Sequence, residues 1–445
     1  MNSLYHQDMY NFNEPIKSYW EYSKSNIHVK TTEIENNNTT DIAVIGGGYT
    51  GLSCALQLAK KFNYKVSVLE AGHFGFGSSG RNGGFLCIGP TKLSIKQLIK
   101  KYGIDEIKKY FQNQLDGSNY TMQLIKDLNI DCDVVGNCNL EVAHHPSFIK
   151  PIKEFAKEIN FFGFKTKFFT KEEFNEIGHT GNEQFGAISY EPGCALHPLK
   201  FQLGLAYACT KNNVNLFSKC EVLKIEKNNN KFNIITNKGN ITSNKIVFAV
   251  NGFYKDNFYK EFNNRIIPAI SNIIVTKPLS DAELKIHNFT TMSPILNARN
   301  LLFYYRLLPD KRILFGARGD LIGSKNSSFK MSKWIEKRFR QVFPGWQKID
   351  IDFRWSGFTA ITRELTPAIG KLENEEIYHS FGYHANGVNT APWSGKELAN
   401  LIGSSNSKNI NASKVFHGMP KKFPFPFLRL LYLKIAYIYF TIVDK

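Results

Sequence analysis

The sequence predicts an α/β fold built around a Rossmann-like dinucleotide-binding unit, and three observations carry that expectation. Residues 42–45 are a short apolar run with β-branched members, which suits a strand buried on both faces. Gly46, Gly48 and Gly51 follow with G-x-G-x-x-G spacing and open a helical pattern of Leu52, Ala55, Leu56 and Leu58. A second strand at 65–69 ends on Glu70, 19 residues after Gly51, close to the ~20 residues expected for an acid that binds a ribose hydroxyl.

Each piece has a physical role. The first glycine permits the tight turn, the second lets backbone approach a pyrophosphate, and the third lets helix pack on strand. The helix then presents its positive N-terminal end to the phosphates. An acid at Glu70 disfavours a 2′-phosphate, so a phosphorylated nicotinamide cofactor is not expected.

Before this unit, residues 1–40 read as an entry arm ending in "TTEIENNNTT". After it, 93–129 and 147–177 read as helices with strand-like "CNLEVA" between them. A helix is expected at 197–212, and a strand pair in "NLFSKCEVLKIEK". "KFNIITNKG" and "GNITSNKIVFAVNG" read as strands joined by a turn at 237–239. Strand signals return at 271–277 and 301–316, a helix at 331–343, a strand at "IYHSFGY" and a helix at "TAPWSGKELANLIG". The apolar tail "FPFPFLRLLYLKIAYIYFTIV" is broken by Arg429 and Lys434. It reads as a last helix packed on the body; the alternative is peripheral membrane contact through 424–440.

Composition narrows the class. A chain of 445 residues favours two domains. The seven cysteines are scattered without a C-x-x-C pair, so no disulfide framework and no metal site are expected, and a cytoplasmic setting is. No secretory signal is recognised in the N-terminal residues, and no run of ~18 uncharged apolar residues suggests a spanning helix. The net charge of +18 is dispersed, often beside asparagine, and reads as solvated surface rather than a nucleic-acid patch.

Two further glycine loops remain, "GFGSSGRNGGF" at 75–85 and "FGYHANGVNTAPWSGKELANLI" at 381–402. Three separated loops suit a long ligand gripped at several points. With "SYWEYS", "EPGCALHPLKFQLGLA", "RILFGARG" and "RWSGFTAITRELTPAIG", these loops make the chain resemble the D-amino-acid oxidase-like superfamily of FAD-dependent oxidoreductases over residues ~15–445, and within it the gamma-glutamylputrescine oxidase-like branch.

The resemblance implies a Rossmann-like FAD-binding domain in three pieces (36–92, 195–255 and 354–405). A discontinuous substrate domain (93–194 and 256–353) would carry a mainly antiparallel sheet, flanked by an N-terminal arm (1–35) and a C-terminal tail (406–445). The implied cofactor-binding set begins with Gly46, Gly48, Tyr49, Thr50 and Gly51, then Glu70 and Ala71. It continues with Ser78, Ser79, Arg81, Asn82, Gly83 and Gly84, then Val222, Ala249, Asn251 and Gly252. It ends with Trp355, Gly357, Gly382, Tyr383, His384, Asn386, Gly387 and Val388. FAD attachment is expected to be non-covalent, because the positions that carry the link in relatives align with Arg81 and Gly357.

The implied reaction is oxidation of a small amine or N-substituted amino acid at the carbon next to nitrogen. A hydride would pass to flavin N5, and the imine would then be hydrolysed. Electrons would leave to O₂ or another acceptor; Leu314 stands where sarcosine oxidases carry a lysine that helps activate oxygen. Tyr305, Arg306 and His384 are the candidate catalytic residues, with Tyr304 beside them as an aromatic wall. The family's late loop often reads G-Y-x-G-H-G, whereas Ala385 and Asn386 replace its Gly–His pair here. Two alternatives compete: a tRNA-modifying FAD oxidoreductase, motivated by the charge, and a membrane-associated dehydrogenase that reduces a quinone.

Overall fold

The computed structural model describes residues 3–24, 26–34, 38–89, 91–256, 258–404 and 410–444. The predicted βαβ unit forms as strand Asn38–Ile45, helix Tyr49–Phe62 and strand Val66–Leu69. Residues 42–45 are buried, as a strand sandwiched between layers requires.

This unit sits inside the first sheet. Five strands run parallel in the spatial order Ile377–Phe381, Gly239–Phe248, Asn38–Ile45, Val66–Leu69, Asn215–Phe217. Ala368–Lys371 closes one edge in antiparallel sense. Strand Val222–Asn228 does not pair with Asn215–Phe217, as the sequence reading had it. It forms a hairpin with Lys231–Thr236, which adds to Gly239–Phe248. Parallel pairing brings the ends Ile45, Leu69 and Phe248 to one edge, the edge at which open α/β sheets bind ligands.

The second sheet has eight strands, in the order Ile351–Thr362, Ile266–Thr276, Ile313–Arg318, Tyr304–Leu307, Ile295–Asn297, Asn139–Val142, Ala187–Glu191, Lys165–Phe169. All neighbours are antiparallel except Ile295–Asn297 with Asn139–Val142. Two expectations change here. The stretch 147–177, read as helical, contains strand Lys165–Phe169 between helices Ile149–Phe161 and Lys171–Ile177. Residues 354–362, assigned to the third cofactor piece, lie in this second sheet, paired along their length with Ile266–Thr276. One face of the sheet is covered by helix Lys325–Val342 and an aromatic cluster that includes Phe339, Phe343 and Trp346.

The tail forms helix Arg429–Val443. Leu433 and Tyr437 pack with Ile267 and Ala269, so one side meets the body as expected. The other side stays open. By length and composition only, Pro426–Val443 is apolar enough for a membrane crossing, although it carries two cations.

Six histidines are buried among the described residues, and in four of them, His179, His197, His379 and His384, burial holds the pKa down to about 3. All four are therefore neutral when folded, while the unfolded chain takes up protons near pH ~6.5. A folded-state pKa below the unfolded one gives stability that is complete above pH ~6.5 and lost as pH falls toward ~3. The thermal midpoint is expected to drop steadily below pH ~6.5. A flat midpoint down to pH ~4.5 would show that these rings are not held neutral.

Candidate cofactor and substrate site

A single cavity lies between the two sheets. Ile45, Leu69 and Ala249 line it from the first sheet, and Ser271, Ile273, Tyr304 and Gly357 from the second. The glycine fingerprint forms its floor. Gly46 has φ +105°, and a Cβ there would stand 2.7 Å from the Ala249 carbonyl oxygen. A Cβ on Gly51 would stand 2.0 Å from the Gly46 carbonyl oxygen, so this glycine serves helix packing and lies outside the cavity. Gly48 precedes the helix with no side-chain cap; the Tyr49 N–H donates to Ser79 Oγ at 3.0 Å.

Glu70 is placed by two backbone donors, the Gly47 N–H at 2.8 Å and the Gly72 N–H at 3.0 Å. Burial raises its pKa despite them. Ala71, Val222 and Asn251 line the same cavity, with Ser78, Ser79, Arg81, Asn82 and Gly83 from the next loop. Arg81 donates through Nε to the Phe76 carbonyl and through Nη1 to the Ser356 carbonyl at 3.2 Å. Burial pulls it down to about 9. Gly357 is packed against the Arg81 stem, 3.3 Å from where its Cβ would be.

The late loop completes the site. Helix Gly387–Gly403 packs directly on Tyr49–Phe62, since a Cβ on Gly395 would stand 2.4 Å from the Thr50 carbonyl oxygen. Two helix N-termini therefore open on one cavity, Asn386 giving no side-chain cap to the second. Thr50 Oγ1 and Tyr383 Oη share a hydrogen bond of 2.7 Å that ties fingerprint to late loop. His384 and Ala385 adopt φ +50° and +79°, the left-handed region that glycine would occupy without strain. Val388 and Gly387 also face the cavity.

Some expected residues stand behind the lining. Gly84 has φ +77° and is pressed against the Leu196 carbonyl, and Gly252 against Phe358. Trp355 donates from Nε1 to the Arg81 carbonyl at 2.8 Å. The Gly382 N–H donates to Asn251 Oδ1 at 2.9 Å. These four hold the loops in place without reaching the cavity.

Two of the candidate catalytic residues are misplaced in the sequence reading. Side chains alternate along a strand, and Tyr304 takes the cavity face. Tyr305 points the other way, into the aromatic cluster, where its hydroxyl meets His179 Nε2 at 2.9 Å. Arg306 shares the Tyr304 face but is fully enclosed; it donates to the Leu196 carbonyl at 2.8 Å and lies over the Trp20 ring. It braces the 84–196 contact rather than touching a ligand. His384 does line the cavity, neutral, with Nε2 3.3 Å from Thr362 Oγ1 and Nδ1 without a partner.

The structure adds residues that local sequence did not single out. Strand register puts Gly357, Ser271 and Arg318 in one row, and Gly316, Tyr304, Leu296 and Glu141 in the next, all on the cavity face. Tyr304 Oη and Ser271 Oγ are 2.7 Å apart. Lys92 enters from the loop after Cys87, and its exposed side chain lines the cavity. Burial pulls Lys92 down to about 7 and pushes Glu141 up to about 7. Among the described residues, no side-chain hydrogen bond or ion pair satisfies Lys92, Glu141 or Arg318. Unpaired charges at separated sequence positions leave no periodic signal.

The residues fit a bound dinucleotide. Besides the two uncapped helix ends and the glycine turn, Asn386 Nδ2 and His384 Nδ1 are buried without partners. A fold of this kind, with a ribose-type acid and three loops converging on one cavity, defines a dinucleotide-dependent oxidoreductase. The model of the DAO family, FAD dependent oxidoreductase, matches residues 41–401, and the chain belongs to that family. FAD is thus its cofactor.

The chain is 28% identical over 435 residues to "Gamma-glutamylputrescine oxidoreductase" of Escherichia coli, covering 97% of this chain and 99% of that one. It is 29% identical over 444 residues to "Probable oxidoreductase OrdL" of Haemophilus influenzae, covering 98% of each. Glycine oxidase from Bacillus cereus shares the fold with TM-score 0.67 at 18% identity, over 82% of this chain and 94% of that one.

Proposed function

We propose that this protein oxidises a small amine or N-substituted amino acid that carries a carboxylate, at the carbon next to nitrogen. The observation that carries the reading is the unpaired Arg318 and Lys92 on the cavity wall. Arg318 is half-buried and Lys92 is open to the cavity, neither has a side-chain partner among the described residues, and a substrate carboxylate would give both one. The names of the relatives, an oxidoreductase of gamma-glutamylputrescine and a glycine oxidase, support a nitrogen-bearing substrate.

The fingerprint turn, Glu70, Val222, the 78–83 loop, Gly357 and the 383–388 loop would hold FAD, which supplies a two-electron acceptor for oxidation of the C–N bond. Attachment is non-covalent in this reading, since neither Arg81 nor Gly357 offers a group for such a link. Arg318 binds the substrate carboxylate in bidentate fashion, and Lys92 adds charge while protonated, below about pH 7. Tyr304 and Leu296 supply an apolar wall for the carbon skeleton. Glu141, neutral when its proton is on, accepts no cation at low pH and meets a distal amine once ionised. Neutral His384 accepts or donates a hydrogen bond without adding charge.

Anaerobic mixing with N-alkyl amino acids should bleach the bound flavin, and faster as pH rises toward the substrate's own amine pKa. Bleaching only by alcohols or 2-hydroxy acids would overturn the amine reading and leave the flavin assignment intact.

A further inference from the structure

Helix Arg429–Val443 carries a surface that neither the cofactor site nor the fold uses. Eight large apolar side chains between 425 and 443 are exposed: Phe425, Phe427, Leu431, Ile435, Ile438, Tyr439, Ile442 and Val443. They make up eight of the twenty exposed large apolar side chains among the described residues, so the patch is concentrated rather than ordinary scatter. Residues 427, 431, 435, 438 and 442 recur in steps of four and three, which places them on one stripe.

The opposite stripe and both ends are fixed to the body. Leu433 packs on Ile267 and Ala269. Arg429 pairs with Asp256 and donates to the Ile266 carbonyl at 3.1 Å. At the far end the Asp444 carboxylate accepts from Asn300 N–H at 2.8 Å and Leu301 N–H at 2.9 Å. Clamped at both ends, the helix lies along the protein surface and does not cross a membrane.

Charge selects the occupant. Residues 421–443 hold Lys421, Lys422, Arg429 and Lys434 and no acid. Arg429 is taken up by Asp256; Lys421, Lys422 and Lys434 are exposed and form no ion pair among the described residues. Free cations beside an apolar, aromatic-rich stripe match anionic headgroups above hydrocarbon. The lysine stem of Lys434 can run along the stripe while its ammonium reaches headgroup level. A second copy fits less well, since two-fold pairing of the stripe would bring both Lys434 side chains together with no acid to meet them.

We propose that this helix is an interfacial anchor that seats the protein on an anionic bilayer surface. The test uses the full chain with FAD bound and sedimentation with vesicles of phosphatidylcholine, with or without phosphatidylserine. Binding to the anionic vesicles should be at least about tenfold tighter than to neutral ones and should weaken with salt. The double variant Ile435→Glu, Ile438→Glu changes two side chains already in solvent. It should keep its thermal midpoint and flavin and lose vesicle binding at least about tenfold. Wild type that stays in the supernatant, or a double variant that pellets as well as wild type, would overturn the proposal. So would a wild-type dimer, seen by light scattering, that the double variant splits while neither form pellets, because a second copy would then be the occupant.

Discussion

Gly51→Ala is expected to destabilise the protein by about 2 kcal/mol and to strip most of its FAD. Two effects oppose each other. Residue 51 is inside a helix, where alanine is preferred over glycine by about 1 kcal/mol. The added Cβ, however, would stand 2.0 Å from the Gly46 carbonyl oxygen and 3.1 Å from Val44 Cγ1. Neither can retreat: Gly46 N–H is bonded to the Leu69 carbonyl at 2.9 Å, and Val44 is in the centre of the parallel sheet. Forcing helix from strand in a packed core costs roughly 3 kcal/mol, so sterics outweigh propensity. The same displacement moves the turn at Gly46–Gly48 and the helix N-terminus that face the cavity. Gly387→Ala is the control for the melting measurement alone, because its Cβ would meet no protein atom nearer than Tyr383 Cδ2 at 3.9 Å while the residue itself faces the cavity. Thermal melting and the flavin-to-protein absorbance ratio read both effects. An unchanged midpoint with full flavin in Gly51→Ala would show that the helix does not depend on this contact.

Arg318→Ala is expected to lower kcat/KM for carboxylate-bearing amines by about a hundredfold, which is roughly 3 kcal/mol of transition-state binding. Most of the loss should fall on KM, because the guanidinium would hold the carboxylate equally before and during reaction. Simple amines of similar size should change by less than about threefold. The fold should be unaffected, since the side chain bonds to no protein group among the described residues. Equal losses for both substrate classes would mean that Arg318 acts on the cofactor or on structure, and the carboxylate assignment would fail.

The contrast with Arg306 shows where sequence reading reached its limit. Both arginines belong to neighbouring strands and, by register, to the same face. Arg306 follows two tyrosines and reads locally as a pocket residue. Its guanidinium is instead spent on the Leu196 carbonyl and the Trp20 ring, elements more than 100 residues away. Which of Tyr304 and Tyr305 faces the cavity is likewise a matter of parity, set by pairing with Phe315 and Gly316. A shift of one residue would exchange them.

The sequence by itself determined the nucleotide half of the site. Strand, glycine turn, helix and terminal acid are contiguous, and their roles follow from local sterics at Gly46 and Gly51 and from a helix end that needs no distant partner. The bulk of the parallel sheet is legible for the same reason, through its continuous apolar strands. Tertiary structure alone decided the substrate half. Glu141, Ser271, Tyr304 and Arg318 come together only because eight strands, antiparallel but for one pair, settle into one register that the Lys92 loop then meets, and the membership of residues 354–362 in that sheet depends on pairing with Ile266–Thr276. Such pairings are long-range, and their energy lies in contacts between segments rather than within them.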